Sequence, residues 1–366
     1  LSLPSIALLM EFAVQEPDLT FEMAGTDWMV RVLTGEVIVS RRVATLVTRL
    51  FVHWLDSPRM RRKAQMNRVL EQIFAPLVDF GFFNYQAENE ENRAKIETTL
   101  ETFQHTFLAI LRSWSGLMAC AAVGSGNNVV SSSPIRLIEY LGLGTVISPS
   151  LVRIRSMIVD LICDFLDLPY ADKRFGSWHE AVHFYSHTHE PGIFECSLRN
   201  DFVIAHSDRR SVYDSRLRNH VDVLESFRAM AIFILIYAQL PQSLCRLILA
   251  CPDEPSSIKA TLLLSDLLGQ AGTVLPHEWR NSVLPLPTLL HSACESITLS
   301  TATAATTQGV PLPDESKDRF TFQHAQNAPL LLFRLDELQN AWLHSEEMSR
   351  SPPAPTSLLS LFVPRK

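Results

Sequence analysis

Residues 151–169 read LVRIRSMIVDLICDFLDLP. Leu151, Ile154, Ile158, Leu161, Ile162, Phe165 and Leu168 recur at steps of three and four, which puts them on one stripe of an α-helix. Pro169 ends the stripe, because the residue before a proline is pushed out of helical geometry. A second stretch repeats the pattern. Ser256 and Ser257 carry hydroxyls able to cap free N–H groups, and Ala260, Leu263, Leu264, Leu267, Leu268 and Ala271 then line one face. Gly272 is placed to cap its C-terminus, and Pro276 to block its resumption. A third helix is expected from about Arg218 to Leu240.

Working outward, the same period recurs more weakly over Val37–Leu55, Met66–Phe80, Ala94–Met118 and Ile135–Leu141. The apolar opening Leu3–Val14 carries Glu11 and lacks a basic leader and a small-residue cleavage site, so it reads as a further helix and not as a signal peptide. Strand patterns are few. Val37–Val39 and Val129–Val130 are β-branched but short and have no hairpin partner. The expected class is all-α, built of antiparallel helix pairs stacked as a solenoid whose repeats are degenerate, with a compact helical bundle as the alternative.

The chain has 366 residues, 47% hydrophobic and 19% charged, with a formal charge of −7 and only 13 glycines. That composition folds, and its acidic balance gives no general attraction to nucleic acid or to an anionic membrane. Scarce glycine argues against Gly-rich nucleotide loops. Six cysteines, Cys120, Cys163, Cys196, Cys245, Cys251 and Cys294, lie far apart with no C-x-x-C pair, which fits free thiols in a reducing compartment. The longest apolar run, Ala229–Leu240, is too short to span a bilayer. Composition shifts after about Cys294. The organisation expected is a helical domain over 1–296, a flexible Ser/Thr/Pro-rich linker over 297–329, a short amphipathic helix over 330–348 and a disordered tail over 349–366. In that short helix Leu331, Leu335, Leu338 and Trp342 share a face.

Four stretches suggest sites. His179-Glu180-Ala181-Val182-His183 places two imidazoles one helical turn apart with a carboxylate between them, and His189 follows six residues on. That spacing can hold Zn²⁺ and set a general base beside its bound water, so a zinc-dependent hydrolase on His179, Glu180, His183 and His189 is the catalytic alternative. Ser186 stands where such enzymes need a glycine to turn the chain, and the residues ahead of the motif read as helices. A solvated helix end with clustered histidines is therefore the preferred reading. Gly124-Ser125-Gly126-Asn127-Asn128 lacks the third glycine of a dinucleotide loop and follows no strand, so a loop is expected. Arg59-Met60-Arg61-Arg62-Lys63 could hold a phosphate or an acidic partner, but a basic run in an acidic chain reads first as a solvated helix start. Arg112-Ser113-Trp114 suits a protein interface if exposed and core packing if not.

Several segments together resemble the N-terminal region of the Rictor family. They are Leu70–Phe80 (LEQIFAPLVDF), Leu111–Gly116 (LRSWSG), Val152–Arg155 running to Asp164–Pro169, Asn200–Ala205 (NDFVIA) and Ser257–Leu268 running to Thr273–Pro276. Their order and spacing carry the likeness over about residues 1–295. The resemblance implies an armadillo/HEAT-like α-solenoid and a non-catalytic scaffold subunit of TOR complex 2. It implies assembly with the TOR kinase, a Sin-type subunit and a small WD-repeat subunit, in support of signalling to AGC kinases such as Akt. It carries over no catalytic, cofactor or metal residue. A cytoplasmic location follows, with membrane association through the complex. A helical adaptor outside TOR signalling shares the fold and differs in partners.

Overall fold

A computed structural model describes residues 3–37, 39–78, 90–121, 134–142, 149–188, 223–276, 278 and 327–341. Among them helices alone form the regular structure, and no strand occurs. The chain divides into two compact units.

The first unit is built from α1 (Leu3–Gln15), α2 (Pro17–Ala24), α3 (Asp27–Leu33), α4 (Arg41–Asp56), α5 (Pro58–Lys63), α6 (Met66–Val78), α7 (Glu90–Leu111) and α8 (Trp114–Ala121). Its central element is α4, which packs on α1, α3, α7 and α8. The sequence explains why. Ala44, Val47, Leu50, Phe51, Trp54 and Leu55 fall on one face and are buried, while Arg42, Arg49 and His53 fall opposite and are exposed. The Trp54 indole donates to the carbonyl of Ala13 at 3.2 Å, and the Phe21 ring meets the indole edge-on at 6.5 Å. Phe74 of α6 and Phe107 of α7 make a second edge contact at 4.5 Å.

The second unit contains the latter part of a 3₁₀ helix (Pro134–Gly142), most of α9 (Pro149–Phe165), α10 (Trp178–Thr188), most of α11 (Val223–Tyr237), α12 (Leu240–Ala250), α13 (Pro255–Val274) and α14 (327–341). Here α13 is the centre, packed against α12 and α10. Every residue from Ser256 to Leu268 is buried, including Lys259, Thr261, Ser265 and Asp266. A helix buried on all sides must satisfy its polar groups internally. Lys259 Nζ does so by donating to Asp160 Oδ1 at 2.5 Å and to the carbonyl of Ala171.

Several boundaries differ from the sequence expectation, each for a local reason. Ser256 and Ser257 do not cap α13. Glu254 is its N-cap residue and Pro255 occupies the first turn, while Ser257 Oγ donates to the carbonyl of Leu247. Gly272 does not end that helix, which runs on to Val274 and stops in extended backbone at Leu275. The helix expected to reach Leu240 stops at Tyr237, because Gln239 turns left-handed (φ 61°) and Leu240-Pro241 begins α12. The 151–168 stripe is helical only to Phe165. Asp167 takes φ 55° and carries Leu168 into the core by a turn. The helix expected over 94–118 is two helices, broken at Arg112-Ser113. Ile135–Leu141 is 3₁₀ and not α. The helix expected from Val37 begins at Arg41. The amphipathic helix expected over 330–348 is described over 327–341. The loop at Gly124–Asn128, Val129–Val130, residues 297–326 and the tail 349–366 lie outside the described residues. No single described helix is long and apolar enough to cross a membrane.

Candidate interaction surfaces

The histidine motif lies on α10, as its spacing requires. Ser177, Trp178, His179 and Glu180 make the opening turn of the helix. Ser177 Oγ accepts the Glu180 backbone N–H at 3.3 Å, and Glu180 Oε2 reaches back to accept the Gly176 N–H at 2.9 Å. Both bonds satisfy N–H groups that a helix start leaves without partners. Glu180 is thus engaged as a capping residue, and the Ser-x-x-Glu spacing of 177–180 was the sequence signal for it. His179 and His183 are exposed. His183 stacks on His187 at 4.3 Å, and His187 Nδ1 donates to the His183 carbonyl at 2.8 Å. His189 lies outside the described residues. Among the described residues, no group of three metal-ligating side chains converges.

The inner face of α10 has a different chemistry. Tyr185 donates its hydroxyl to Asp266 Oδ1 at 2.8 Å, and Tyr170 donates to Asp266 Oδ2 at 2.5 Å. Burial, reinforced by the Asp266 carboxylate, pushes both phenols well above the usual tyrosine range. Cys245, sealed in the core, is likewise pushed up to about 12 by burial. These groups hold helices together. A phenol that resists ionisation and a thiol that stays protonated are poor nucleophiles.

Three of the four cations of the basic cluster, Arg59, Arg61 and Lys63, are engaged within their own unit. Arg59 and Lys63 pair with Asp18 at 2.8 Å, and Lys63 also with Glu22 at 2.7 Å. The hydrogen bond from Lys63 is the main reason Asp18 sits below the usual carboxylate range. Arg61 donates to the carbonyls of Leu55 and Asp56 and to Ser115 Oγ. Arg112 and Trp114 also resolve to packing. Arg112 is buried and donates to the Asp164 carbonyl at 2.7 Å, and Trp114 meets Phe227 edge-on at 5.0 Å.

Two features escaped the sequence reading. The first is an apolar surface on α1 and α2, where Leu8 (72% exposed), Leu9, Phe12, Leu19 and Met23 (78% exposed) stand in solvent. Large apolar side chains left exposed along two successive helices are the kind of feature that interaction surfaces use. The signal was present, since residues 6–14 are apolar on every side apart from Glu11. The second is the seat of α14. Ala328, Leu331, Leu335 and Leu338 are buried beneath it. Asn327 Nδ2 donates to the Leu249 carbonyl at 2.8 Å. Arg334 donates to the Pro252 carbonyl at 2.6 Å and to Asp253 Oδ1 at 2.7 Å. The Arg334 guanidinium lies 4.8 Å over the Trp178 ring, whose Nε1 donates to Glu337 Oε2 at 2.7 Å.

Fold and surfaces together define a protein whose described residues are helical, with an apolar face on its first two helices turned to solvent. The chain belongs to the family described as rapamycin-insensitive companion of mTOR, N-terminal region, whose model matches residues 1–276. It is 25% identical over 292 residues to the human protein named rapamycin-insensitive companion of mTOR, covering 79% of this chain and 16% of that one; the mouse protein of the same name gives the same figures. Target of rapamycin complex 2 subunit ste20 of Schizosaccharomyces pombe is 22% identical over 295 residues, covering 80% of this chain and 20% of that one. The chain therefore spans a fifth or less of the length of these relatives. No solved structure matches it.

Proposed function

We propose that this chain is a non-catalytic scaffold segment of TOR complex 2, binding the TOR kinase, a Sin-type subunit and a WD-repeat subunit in support of signalling to AGC kinases such as Akt. Membership of the rapamycin-insensitive companion family carries this reading, since a fission-yeast relative bears the name of a subunit of that complex. In this reading the helices of 1–296 stack as an armadillo/HEAT-like solenoid, the protein is cytoplasmic, and it reaches membranes only through the complex. Stacked helix pairs offer long surfaces to partners, and the exposed Leu8, Leu9 and Phe12 are the first such surface to test.

The experiment is a pull-down of the tagged chain from lysate, probed for the TOR kinase and the Sin-type subunit, with metal analysis of the purified sample. Recovery of both proteins with substoichiometric zinc is the expected result. Recovery should fall at least tenfold for Leu8→Asp with Phe12→Asp, two surface changes that leave Ala13 and the Trp54 bond in place. A folded sample that captures neither protein overturns the proposal. Stoichiometric zinc lost on His183→Ala would return the hydrolase reading.

A further inference from the structure

Two of the four hydrogen bonds that hold α14 go to backbone carbonyls at the end of another helix. Leu249 lies in the last turn of α12 and Pro252 just beyond it, where carbonyls lack helical partners and the helix dipole is negative. Asn327 and Arg334 supply the missing donors, with Arg334 the cation that such an end favours. Trp178 adds a ring face for the guanidinium and an indole N–H for Glu337. The side chain of Arg334 is 4% exposed, so the seat recognises the whole side chain and not only its charge.

The seat and its occupant have different standing. Trp178, Leu249, Pro252 and Asp253 lie inside the stretch matched to the family, and α14 lies outside it. Fifty residues, 277–326, separate Pro276 from Asn327 in the sequence, and they include the Ser/Thr/Ala-rich run 300–307. A tether of that length holds its helix at a finite effective concentration, which a free competitor can exceed. The fit is also incomplete. Buried Arg334 Nε and Gln339 Oε1 have no hydrogen-bond partner among the described residues. Asp253, the anion facing Arg334, is 85% exposed and reachable from solvent.

We infer that the face formed by Trp178, the end of α12 and Asp253 is a receiving site for an amphipathic helix of a partner protein, filled in cis by α14. The recognised pattern is Ala328, Leu331, Leu335 and Leu338 at i, i+3, i+7 and i+10, with an arginine at i+6 and a glutamate at i+9. A partner helix of that pattern displaces α14 and takes its place.

The probe is a fluorescein-labelled synthetic peptide of residues 327–341, titrated into the full chain and into the full chain carrying Leu331→Asp with Leu335→Asp. Those changes remove α14 from its seat without touching the seat. The undocked chain should bind at least tenfold more tightly than the unaltered chain. A peptide with Arg334→Ala, or an undocked chain with Trp178→Ala, should lose at least tenfold of that affinity. An undocked chain that melts cooperatively and binds no better than the unaltered one overturns the inference. Should the double variant fail to fold, a specific protease site inserted between Ala305 and Thr306 of the otherwise unaltered chain decides. Exchange of the cleaved C-terminal piece for labelled peptide, with cooperative melting retained, supports a receiving site. A piece that leaves only on unfolding makes α14 a fixed part of the core.

Discussion

At Asp266 two phenols from different segments, 96 and 81 residues away in sequence, end on the two oxygens of one carboxylate. Removing the carboxylate leaves two buried donors without their acceptor. Asp266→Ala should therefore lower stability by about 3 kcal/mol, against about 1–2 for Tyr170→Phe, measured by urea unfolding. The phenols also set an alkaline limit. Their folded pKa values are raised above the unfolded value of 10.0 by burial first and by Asp266 second. Their contribution is full below pH about 10 and is lost as pH rises through the folded values. Phenolate absorbance and near-UV circular dichroism should change together in one cooperative step above pH 10, and independent titration of the two tyrosines below that step would contradict the geometry. Little of this was legible in the sequence. Asp266 stands out as an acid in an apolar run, but nothing local names partners so far along the chain. Glu180 is the opposite case, because Ser177 three residues earlier is a local capping signal that the reading of Glu180 as a general base passed over.

Helical elements were largely legible, since a period of three and four follows from burying one side of a helix. Their ends were less so, because tertiary contacts decide them. The break inside 94–118 shows the cause. Ser113 Oγ donates to the Ile110 carbonyl and accepts the Gly116 N–H, while Arg112 is drawn to Asp164, fifty-two residues away. Gly116 makes that corner possible. A Cβ there would lie 2.0 Å from the Ile110 carbonyl oxygen and 2.6 Å from Ser113 Oγ. Gly116→Ala should therefore destabilise the first unit by about 2–3 kcal/mol. Gly272, inside α13, has nothing within 4 Å of its would-be Cβ. There the same substitution relieves a helix-interior glycine and should stabilise by about 0.5–1 kcal/mol. Opposite signs in thermal melts would show that Gly116 serves the corner and that Gly272 is no cap. The periodic reading also took α13 for one-faced. Its polar residues at 259, 261, 265 and 266 look solvated in sequence and are buried in fact, because Asp160, Ala171, Tyr170 and Tyr185 meet two of them from other segments.

For the molecule as a whole, the family match ends at residue 276, yet the second unit includes a helix fifty residues further on. The family match stops short of the change in composition after Cys294, where the likeness was expected to end, and Leu331, Leu335 and Leu338 marked an amphipathic helix beyond both. The bonds from Arg334 and Asn327 to the end of α12 were invisible, since carbonyls at a helix end carry no sequence signature. A chain truncated after residue 326 separates the two ways such a helix can belong to a fold. If the matched residues form a complete core and α14 closes one face, the truncated chain should keep its helical circular dichroism and melt cooperatively. Its Tm should fall by about 2–4 °C for each kcal/mol of docking lost, and it should bind a hydrophobic dye through the uncovered seat. If α14 completes the core, the truncated chain should instead lose cooperative melting, because Ala328, Leu331, Leu335 and Leu338 leave together and take their buried apolar contacts with them. The first outcome is expected. Ser256–Leu268 already draw tight polar bonds from Asp160, Tyr170 and Tyr185, all within the matched stretch, whereas α14, beyond that stretch, adds four buried apolar side chains and the polar contacts of one arginine, one asparagine and one glutamate.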